Sequence, residues 1–366
     1  MSRRLYVHVG LQKTGTSYLQ AALLNSTEQL TAQGLDLVPP TKRECFELMV
    51  VVRNRYEARR DEASDRATVD RFTSQLDKAS GSRAVFSQES LAAAGPGQIE
   101  RLLAACGDRE VHAVITVRDL ARQLPSMWQE DLKAGGTTGF GAYVRGLQEQ
   151  ERAGKAKAPW IHLDPPTVAA RWAGALSADR VHVITVPPAG SPTGLLLERF
   201  ARVLDVDPAR LEPEDRPSNS SLGQVQAEVL RRVNAELPEE VHRRYVYGDV
   251  VKRQFGAQVL GAQEKQRILV PAKFRPWCEE VSERQVAELV TGGYRIEGSW
   301  DDLRCTESAF AEGSTRPSER EVAAASVTAL AAMLAARGTA EAERRTGEIR
   351  VADDGLLTKV KRRLGK

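Results

Sequence analysis

The feature that most constrains the fold of this chain is a short apolar strand that runs directly into a turn of small polar residues and then into a helix. Residues 5–9 form the apolar run, residues 10–15 form the turn, and a helical pattern begins near Thr16. In such a turn, successive backbone N–H groups and the positive end of the helix converge on an anion. The sequence therefore predicts a phosphate-binding loop after the first strand.

The position of one lysine separates this loop from an ATP-binding loop. In the pattern G-x-x-x-x-G-K-[ST], Gly10 and Gly15 match the two glycines, but Thr16 stands where the lysine belongs. The lysine of this loop, Lys13, lies earlier, at its crown. A nucleoside triphosphate requires the later lysine on its terminal phosphates and a hydroxyl on magnesium. We therefore expect Lys13 to cover the end of a shorter anion.

The candidate binding residues of the loop run from Lys13 to Ser17. Gly15 allows a close approach of the backbone to a ligand, and the hydroxyls of Thr14, Thr16 and Ser17 are possible donors. The alternative is an ordinary helix start capped by Thr16 or Ser17. The K-T-G-T-S run after an apolar first strand is more specific than a lone glycine-rich turn and favours the binding site.

Composition limits the class of protein and its compartment. The 366 residues are 42% hydrophobic and 28% charged, as in a globular protein with a sizeable core, and the net charge of +3 is too small to indicate nucleic-acid binding. No secretory signal is expected before the first strand, and no apolar run is expected to reach the length of an integral membrane segment. Cys45, Cys106, Cys278 and Cys305 show neither metal nor disulfide spacing. These observations predict a reduced, cytoplasmic protein.

The first half of the chain alternates strand and helix patterns, which predicts a parallel sheet. The expected strands are residues 5–9, 84–87, 111–117 and 181–186, with a further candidate at 35–38; the expected helices are 16–25, 67–79, 96–106, 121–134 and 166–176. The predicted fold class is a three-layer α/β protein with a central, mostly parallel sheet flanked by helices, and a helical C-terminal half from residue 193 onward.

Other segments are predicted from composition. We expect a charge run at the sheet edge at residues 53–66 and a mobile insertion at residues 135–158. We also expect a linker at residues 314–317, an Ala-rich amphipathic helix at residues 319–337 and a short basic tail at residues 351–366. The predicted domains are residues 1–312 and, as a C-terminal helix and tail, residues 313–366.

A second motif follows the strand at 111–117. Arg118 leaves the end of that strand, and Ser126 follows on the next helix. A guanidinium can bind a dianion bidentately, and a hydroxyl can add one hydrogen bond, so the pair suits a second phosphate separate from the first. Taken alone, the pair is a weak signal, and a surface arginine after a strand with a serine on a helix is the more frequent explanation.

Together the two motifs resemble a known family. K-T-G-T-S at 13–17 and R-x-x-x-R-x-x-x-S-x-W at 118–128 resemble the 5′-phosphosulfate and 3′-phosphate motifs of sulfotransferases that use 3′-phosphoadenosine 5′-phosphosulfate (PAPS), bacterial members above all. The resemblance covers about residues 5–303 and is sharp only at these motifs. Gln12 and Leu120 replace prolines that are usual in the family.

The resemblance implies a P-loop-like sulfotransferase fold, PAPS as the sulfuryl donor and no metal. It implies that Lys13 to Ser17 hold the 5′-phosphosulfate and that Arg118 and Ser126 hold the 3′-phosphate. It also places a histidine or glutamate just past the strand at 84–87, where Glu89 stands. Glu89 is therefore the candidate base for the acceptor proton; the alternative is a glutamate that stabilises a helix N-terminus.

Three histidines are not assigned to the reaction. His8, near the end of the first strand, is interpreted as a core residue. His112 and His182 open their strands and are expected at the end of the sheet away from the site. No histidine pair has metal spacing.

A fourth, weaker element is the segment 216–223 with the following helix. It resembles an N-x-S-L segment of bacterial sulfotransferases followed by a helix with L-R-x-x-N, here Leu230 to Asn234. Two interpretations stay open. The segment closes over the nucleotide or acceptor, or it is a helix start capped by Asn219 or Ser220.

The expected function is transfer of a sulfuryl group from PAPS to a hydroxyl or amine of a small-molecule or glycan acceptor, such as a carbohydrate, glycolipid or secondary metabolite. Lys13 would neutralise the leaving oxygen and Glu89 would accept the proton. One alternative is a P-loop-type small-molecule kinase, which Thr16 in place of the lysine disfavours. The other is a non-catalytic nucleotide-binding protein. The sequence does not decide the oligomeric state.

Overall fold

The computed structural model describes residues 3–54, 65–213, 221–313 and 315–364. These residues fall into two compact units. The first is drawn from residues 1–128, 140–218 and 269–315, and the second from residues 129–139, 219–268 and 316–366. The predicted boundary at residue 312 stays a prediction.

The first unit is built on a parallel sheet. Among the described residues, six strands pair in the order β2-β3-β1-β4-β5-β7, and every pairing is parallel. A separate two-stranded pair joins β6 and β8. The strands are β1 (Arg4–His8), β2 (Leu35–Leu37), β3 (Arg83–Ser87), β4 (Glu110–Val117), β5 (Val181–Thr185), β6 (Val270–Pro271), β7 (Arg295–Glu297) and β8 (Phe310–Ala311).

Helices connect the strands in the order that the alternating pattern predicts. The α-helices are α1 (Thr16–Asn25), α2 (Thr27–Ala32), α3 (Lys42–Val52), α4 (Asp65–Lys78), α5 (Pro96–Ala104), α6 (Leu120–Leu132), α7 (Phe140–Arg152), α8 (Pro165–Ala175), α9 (Leu195–Leu204), α10 (Gln224–Glu236), α11 (Arg244–Val246), α12 (Arg275–Thr291) and α13 (Glu319–Leu364). Short 3₁₀ helices include Glu89–Ala93 and Trp160–Leu163, and a π-helix spans Tyr247–Val259.

Two apolar layers cover the two faces of the sheet. Successive side chains of a strand point to opposite faces. On β1, Leu5 and Val7 belong to a core that includes residues of α3, α4, α5, α8 and α12. Tyr6 belongs to a second core, with residues of α1, α2 and α9. The predicted three-layer α/β fold with a central parallel sheet is therefore confirmed.

The elements that differ from the sequence analysis include α7 and β7. The segment 135–158 contains α7, in which Phe140, Val144 and Leu147 are buried at helical spacing; its glycines and charges hid this pattern, and the expectation of a mobile insertion is corrected. The strand β7 was missed because it has three residues and a largely exposed pattern. Most of the predicted charge run at 53–66 lies outside the described residues.

The second unit shows what the L-R-x-x-N pattern does locally. Asn234 is buried, and its amide nitrogen donates to the carbonyls of Leu132 and Gly136, both at 2.8 Å. The Tyr247 hydroxyl lies 2.7 Å from Asn234 Oδ1 and 2.9 Å from the Leu132 carbonyl oxygen. Asn234 therefore holds the end of α6. Asn219 and Ser220 lie outside the described residues.

The C-terminal helix is longer than predicted. It runs over 46 residues as α13 and takes in most of the expected basic tail. Its part Glu319–Thr339 is long and apolar enough to cross a membrane by length and composition, and 11% of that window is buried. The expectation that no apolar run reaches such a length is therefore corrected, because many alanines were not counted as an apolar run. The absence of a membrane segment and the cytoplasmic location stay predictions.

Candidate active site at the carboxyl end of the sheet

The loop after β1 has the backbone of a tight anion-binding turn. Gly10, Lys13 and Gly15 have φ values of 53°, 67° and 89°, all in the left-handed region. Lys13 has a Cβ, so this conformation costs about 1 kcal/mol or more and is found mostly at functional turns. The turn places Lys13 at the crown of the loop, half-buried.

The two glycines are required by close contacts. A Cβ on Gly10 would lie 2.9 Å from Thr16 Oγ1 and 3.4 Å from the Cβ of Glu89. A Cβ on Gly15 would lie 2.5 Å from Leu196 Cδ2, at the start of α9. Glu89, which follows β3, is therefore packed directly against the loop that follows β1.

Hydroxyl groups brace the loop from inside. Thr14 is fully buried and its hydroxyl donates to the carbonyl of Leu11 at 2.7 Å. The Thr16 hydroxyl donates to the same carbonyl at 3.3 Å. Ser17 is exposed in the first turn of α1. The first N–H groups of a helix have no intrahelical acceptor, so Thr16 and Ser17 present backbone donors at the loop.

Arg118 lies against the crown of the loop. One of its terminal nitrogens, Nη1, donates to the carbonyl of Lys13 at 3.3 Å. The next residue, Asp119, caps α6 by accepting from the N–H of Arg122 at 2.9 Å. Arg122, the second arginine of the motif, is buried, pairs with Asp119 and donates to the carbonyl of Pro187 at 2.9 Å. Arg122 therefore has a structural role, whereas Arg118 faces the loop.

The start of α6 is also hydrogen-bonded to the loop. Gln123 Nε2 donates to the carbonyl of Gln12 at 2.6 Å and to that of His162 at 2.9 Å. Ser126 is half-buried, and its hydroxyl donates to the Arg122 carbonyl at 3.5 Å within the helix. Among the contacts of the described residues, none joins Ser126 to Arg118 or to the loop. Of the predicted site residues, Lys13 to Thr16, Glu89 and Arg118 are brought together by these contacts, whereas the hydrogen bond of Ser126 is made within its own helix.

The histidines divide between the two ends of the sheet. His112 and His182 lie at the amino ends of β4 and β5, as predicted from their place in the strands. His8 lies beneath the loop, and its hydrogen bonds are described below. His162, which the sequence analysis did not consider, is buried, and its Nδ1 has no hydrogen-bond partner within the described ranges. Burial, and then the nearby Arg53, lower the pKa of His162 to about 4.

Comparison with known proteins gives one likeness. No family model matches the chain, and no curated protein matches it. Among solved structures, the chain is similar to a sulfotransferase from Alicyclobacillus acidocaldarius, with a TM-score of 0.40 and 18% sequence identity, over 82% of this chain and 100% of that chain. A likeness at this level identifies neither a donor nor an acceptor.

Proposed function

We propose that this chain is a sulfotransferase that moves a sulfuryl group from PAPS to a hydroxyl or amine of a small-molecule or glycan acceptor. The observation that carries the proposal is the convergence of three elements at the carboxyl ends of β3, β1 and β4. Glu89 packs against Gly10 of the loop, and Arg118 donates to the carbonyl of Lys13. Ligands of parallel α/β sheets bind at this edge.

The residues present fit the donor. The left-handed backbone at Gly10, Lys13 and Gly15 leads directly into the N-terminus of α1, whose first N–H groups are available to an anion. Lys13 supplies a positive charge at the crown, where the 5′-phosphosulfate would end. Arg118 supplies a planar guanidinium beside it for the 3′-phosphate. We also propose that Ser126 binds the 3′-phosphate, which requires the bound nucleotide to extend as far as the Ser126 hydroxyl.

The chemistry is a single displacement at sulfur. The bound donor supplies the sulfuryl group: an acceptor oxygen bonds to sulfur, and the bond from sulfur to the 5′-phosphate oxygen breaks with its electron pair left on that oxygen. Lys13 stabilises the negative charge that grows there. Glu89 accepts the acceptor proton through its carboxylate. The loop N–H groups hold the donor in line, so positioning supplies much of the rate.

The experiment compares nucleotides and acceptors on the intact chain. Isothermal titration with 3′,5′-ADP, ADP and ATP should show the tightest binding for 3′,5′-ADP, the nucleotide that carries the 3′-phosphate. Incubation with PAPS and a panel of carbohydrates, glycolipids and small phenols and amines, followed by mass spectrometry, should show a sulfated product. Binding of ATP in preference to 3′,5′-ADP, with phosphate transfer, would instead support the kinase alternative.

Metal dependence provides a second test. Because Lys13 and the loop N–H groups supply the positive charge, we expect the turnover rate to be the same with and without EDTA. Loss of activity in EDTA that magnesium restores would contradict the proposed mechanism.

A further inference from the structure

A network of buried hydrogen bonds, which we call the His8 network, lies beneath the loop and takes no part in the reaction proposed above. His8 is fully buried at the end of β1. Its Nδ1 lies 2.8 Å from Ser87 Oγ on β3, and its Nε2 lies 3.3 Å from Thr116 Oγ1 on β4. Thr116 Oγ1 lies 2.7 Å from Thr14 Oγ1 in the loop. The imidazole thus connects three neighbouring strands, and through Thr116 it reaches the loop.

The donor and the acceptor of each hydrogen bond in the His8 network can be assigned by starting from Thr14, at the loop. Thr14 donates its hydroxyl proton to the Leu11 carbonyl, so its oxygen must accept from Thr116. Thr116 has then used its proton and must accept from His8. The Nε2 atom of His8 therefore carries the hydrogen.

The same reasoning continues on the other side of the ring. Because Nε2 carries the hydrogen in the neutral imidazole, Nδ1 of His8 accepts from the Ser87 hydroxyl. The Ser87 oxygen accepts from Gln20 Nε2 at 3.2 Å. From Gln20 to Thr14, each group therefore donates its hydrogen bond to the next group in the direction of the loop.

The surroundings keep His8 neutral. Burial lowers its pKa to about 3, and the ring of Phe200 covers it at a centroid distance of 4.9 Å. A proton on Nδ1 would also oppose the Ser87 hydroxyl and reverse that bond. The imidazole therefore acts as a fixed donor and acceptor and not as a base.

In each of the three strands, the residue that belongs to the His8 network lies just before a residue of the candidate site. Ser87 ends β3 shortly before Glu89, Thr116 precedes Arg118, and His8 precedes Gly10. From this juxtaposition we infer that His8, as the neutral Nε2–H tautomer, is a positioning residue that fixes the loop against Glu89 and Arg118. The identity of the ligand that the loop binds rests on the proposed function. The role of His8 in fixing the loop does not depend on that proposal.

Paired variants test the inference. His8→Leu removes both hydrogen bonds of the ring, and Thr116→Val removes, at nearly constant shape, the hydroxyl that links His8 to Thr14. Each should weaken 3′,5′-ADP binding by about tenfold or more, since an unmade buried hydrogen bond is worth a factor of that order. Thr116→Ser, which keeps the hydroxyl, should restore binding to within about twofold.

Matched controls separate positioning from stability. His182 is buried at the opposite end of the sheet, and Thr185 is a buried threonine at the end of β5 whose hydroxyl donates to Asp302 Oδ2. His182→Leu and Thr185→Val should lower the melting temperature as the test variants do, yet leave 3′,5′-ADP affinity within about twofold. Equal loss of affinity in tests and controls would overturn the inference.

Two measurements stay informative if the chain binds no 3′,5′-ADP. The ¹⁵N spectrum of His8 should show a pyridine-like Nδ1 and a pyrrole-like Nε2 from pH 8 to pH 5; the opposite tautomer or an imidazolium would overturn the inference. Amide hydrogen exchange at residues 11–17 should speed up in Thr116→Val and not in Thr185→Val. Unchanged exchange in the loop would overturn it, whereas failure of nucleotide binding alone would count against the proposed function only.

Discussion

The two ends of the parallel sheet both contain buried histidines, with opposite surroundings. At the carboxyl end, His8 bonds to the neutral hydroxyls of Ser87 and Thr116. At the amino end, His112 Nδ1 lies 3.0 Å from His182 Nε2, and His112 Nε2 lies 2.7 Å from a carboxylate oxygen of Glu110. That pair borders an open cavity of about 380 Å³.

Charge is distributed differently between these ends. The amino-end cavity is lined by Arg4, Arg202 and Arg295 and by the carboxylates Glu110, Asp205 and Glu297. Arg202 pairs with Glu297 at 2.5 Å and Arg4 lies 3.6 Å from Glu110. Beneath the loop, the hydrogen bonds of His8 are to hydroxyls. Under the proposed function an anion lies on the other side of the loop, and these neutral hydroxyls add no negative charge beneath it.

The largest effect is expected at Glu89. Glu89→Gln keeps the shape but cannot accept a proton, so kcat should fall by at least about 100-fold. Affinity for 3′,5′-ADP should stay within about twofold, because the residue serves the acceptor. Glu110→Gln at the amino end is the control and should leave kcat unchanged. Near-normal turnover of Glu89→Gln with a small loss of melting temperature would instead indicate a role at the helix N-terminus.

The next effect is expected at Arg118. Arg118→Ala removes a charge-assisted contact worth about 1.5–3 kcal/mol, so affinity for 3′,5′-ADP should fall by more than about tenfold. Affinity for 5′-AMP should barely change, and Arg202→Ala at the other end should affect neither ligand. Equal weakening of both nucleotides, measured by titration calorimetry, would show that Arg118 only supports the loop.

A smaller effect is expected at Gly15. Gly15→Ala forces a Cβ into the left-handed region and to within 2.5 Å of Leu196 Cδ2. Gly107 has a φ of 64° with no atom within 4 Å of such a Cβ, so Gly107→Ala carries only the backbone strain, about 1 kcal/mol. Denaturant unfolding should show a larger loss for Gly15→Ala, and only that variant should lose nucleotide affinity. Equal losses would mean that Leu196 moves aside.

The last prediction compares the histidines at the two ends of the sheet through the pH dependence of the free energy of unfolding. Burial lowers the pKa of His8 to about 3 and that of His182, with further lowering by nearby cations, to about 4. Both are neutral when folded and become charged when unfolded below about pH 6.5, so the free energy of unfolding falls as pH drops from there. His8→Gln should reduce the slope of the free energy of unfolding against pH by up to about 1.4 kcal/mol per pH unit, down to pH 3. His182→Gln should reduce the same slope by a similar amount, down to pH 4. An unchanged slope would contradict the buried neutral state.

Much of the fold follows from the sequence because its signals are local. The apolar runs of β1, β3, β4 and β5 and the helical patterns between them are read from neighbouring residues, and a parallel sheet follows from their alternation. The loop was also predictable, since Gly10, Lys13 and Gly15 lie within one turn. Local signals failed where an element was short, as in β7, or masked by glycines and charges, as in α7.

The sequence by itself determined which residue types stand at the ends of the strands, and the tertiary structure decided which of them meet. The contact of Glu89 with Gly10 depends on the register between β1 and β3, in which His8 pairs with Ser87. The bond from Arg118 to Lys13 and the link from His8 to Thr116 depend on the pairing of β1 with β4. Strand register is set by packing of the whole sheet between its two helical layers, so no local pattern encodes these contacts.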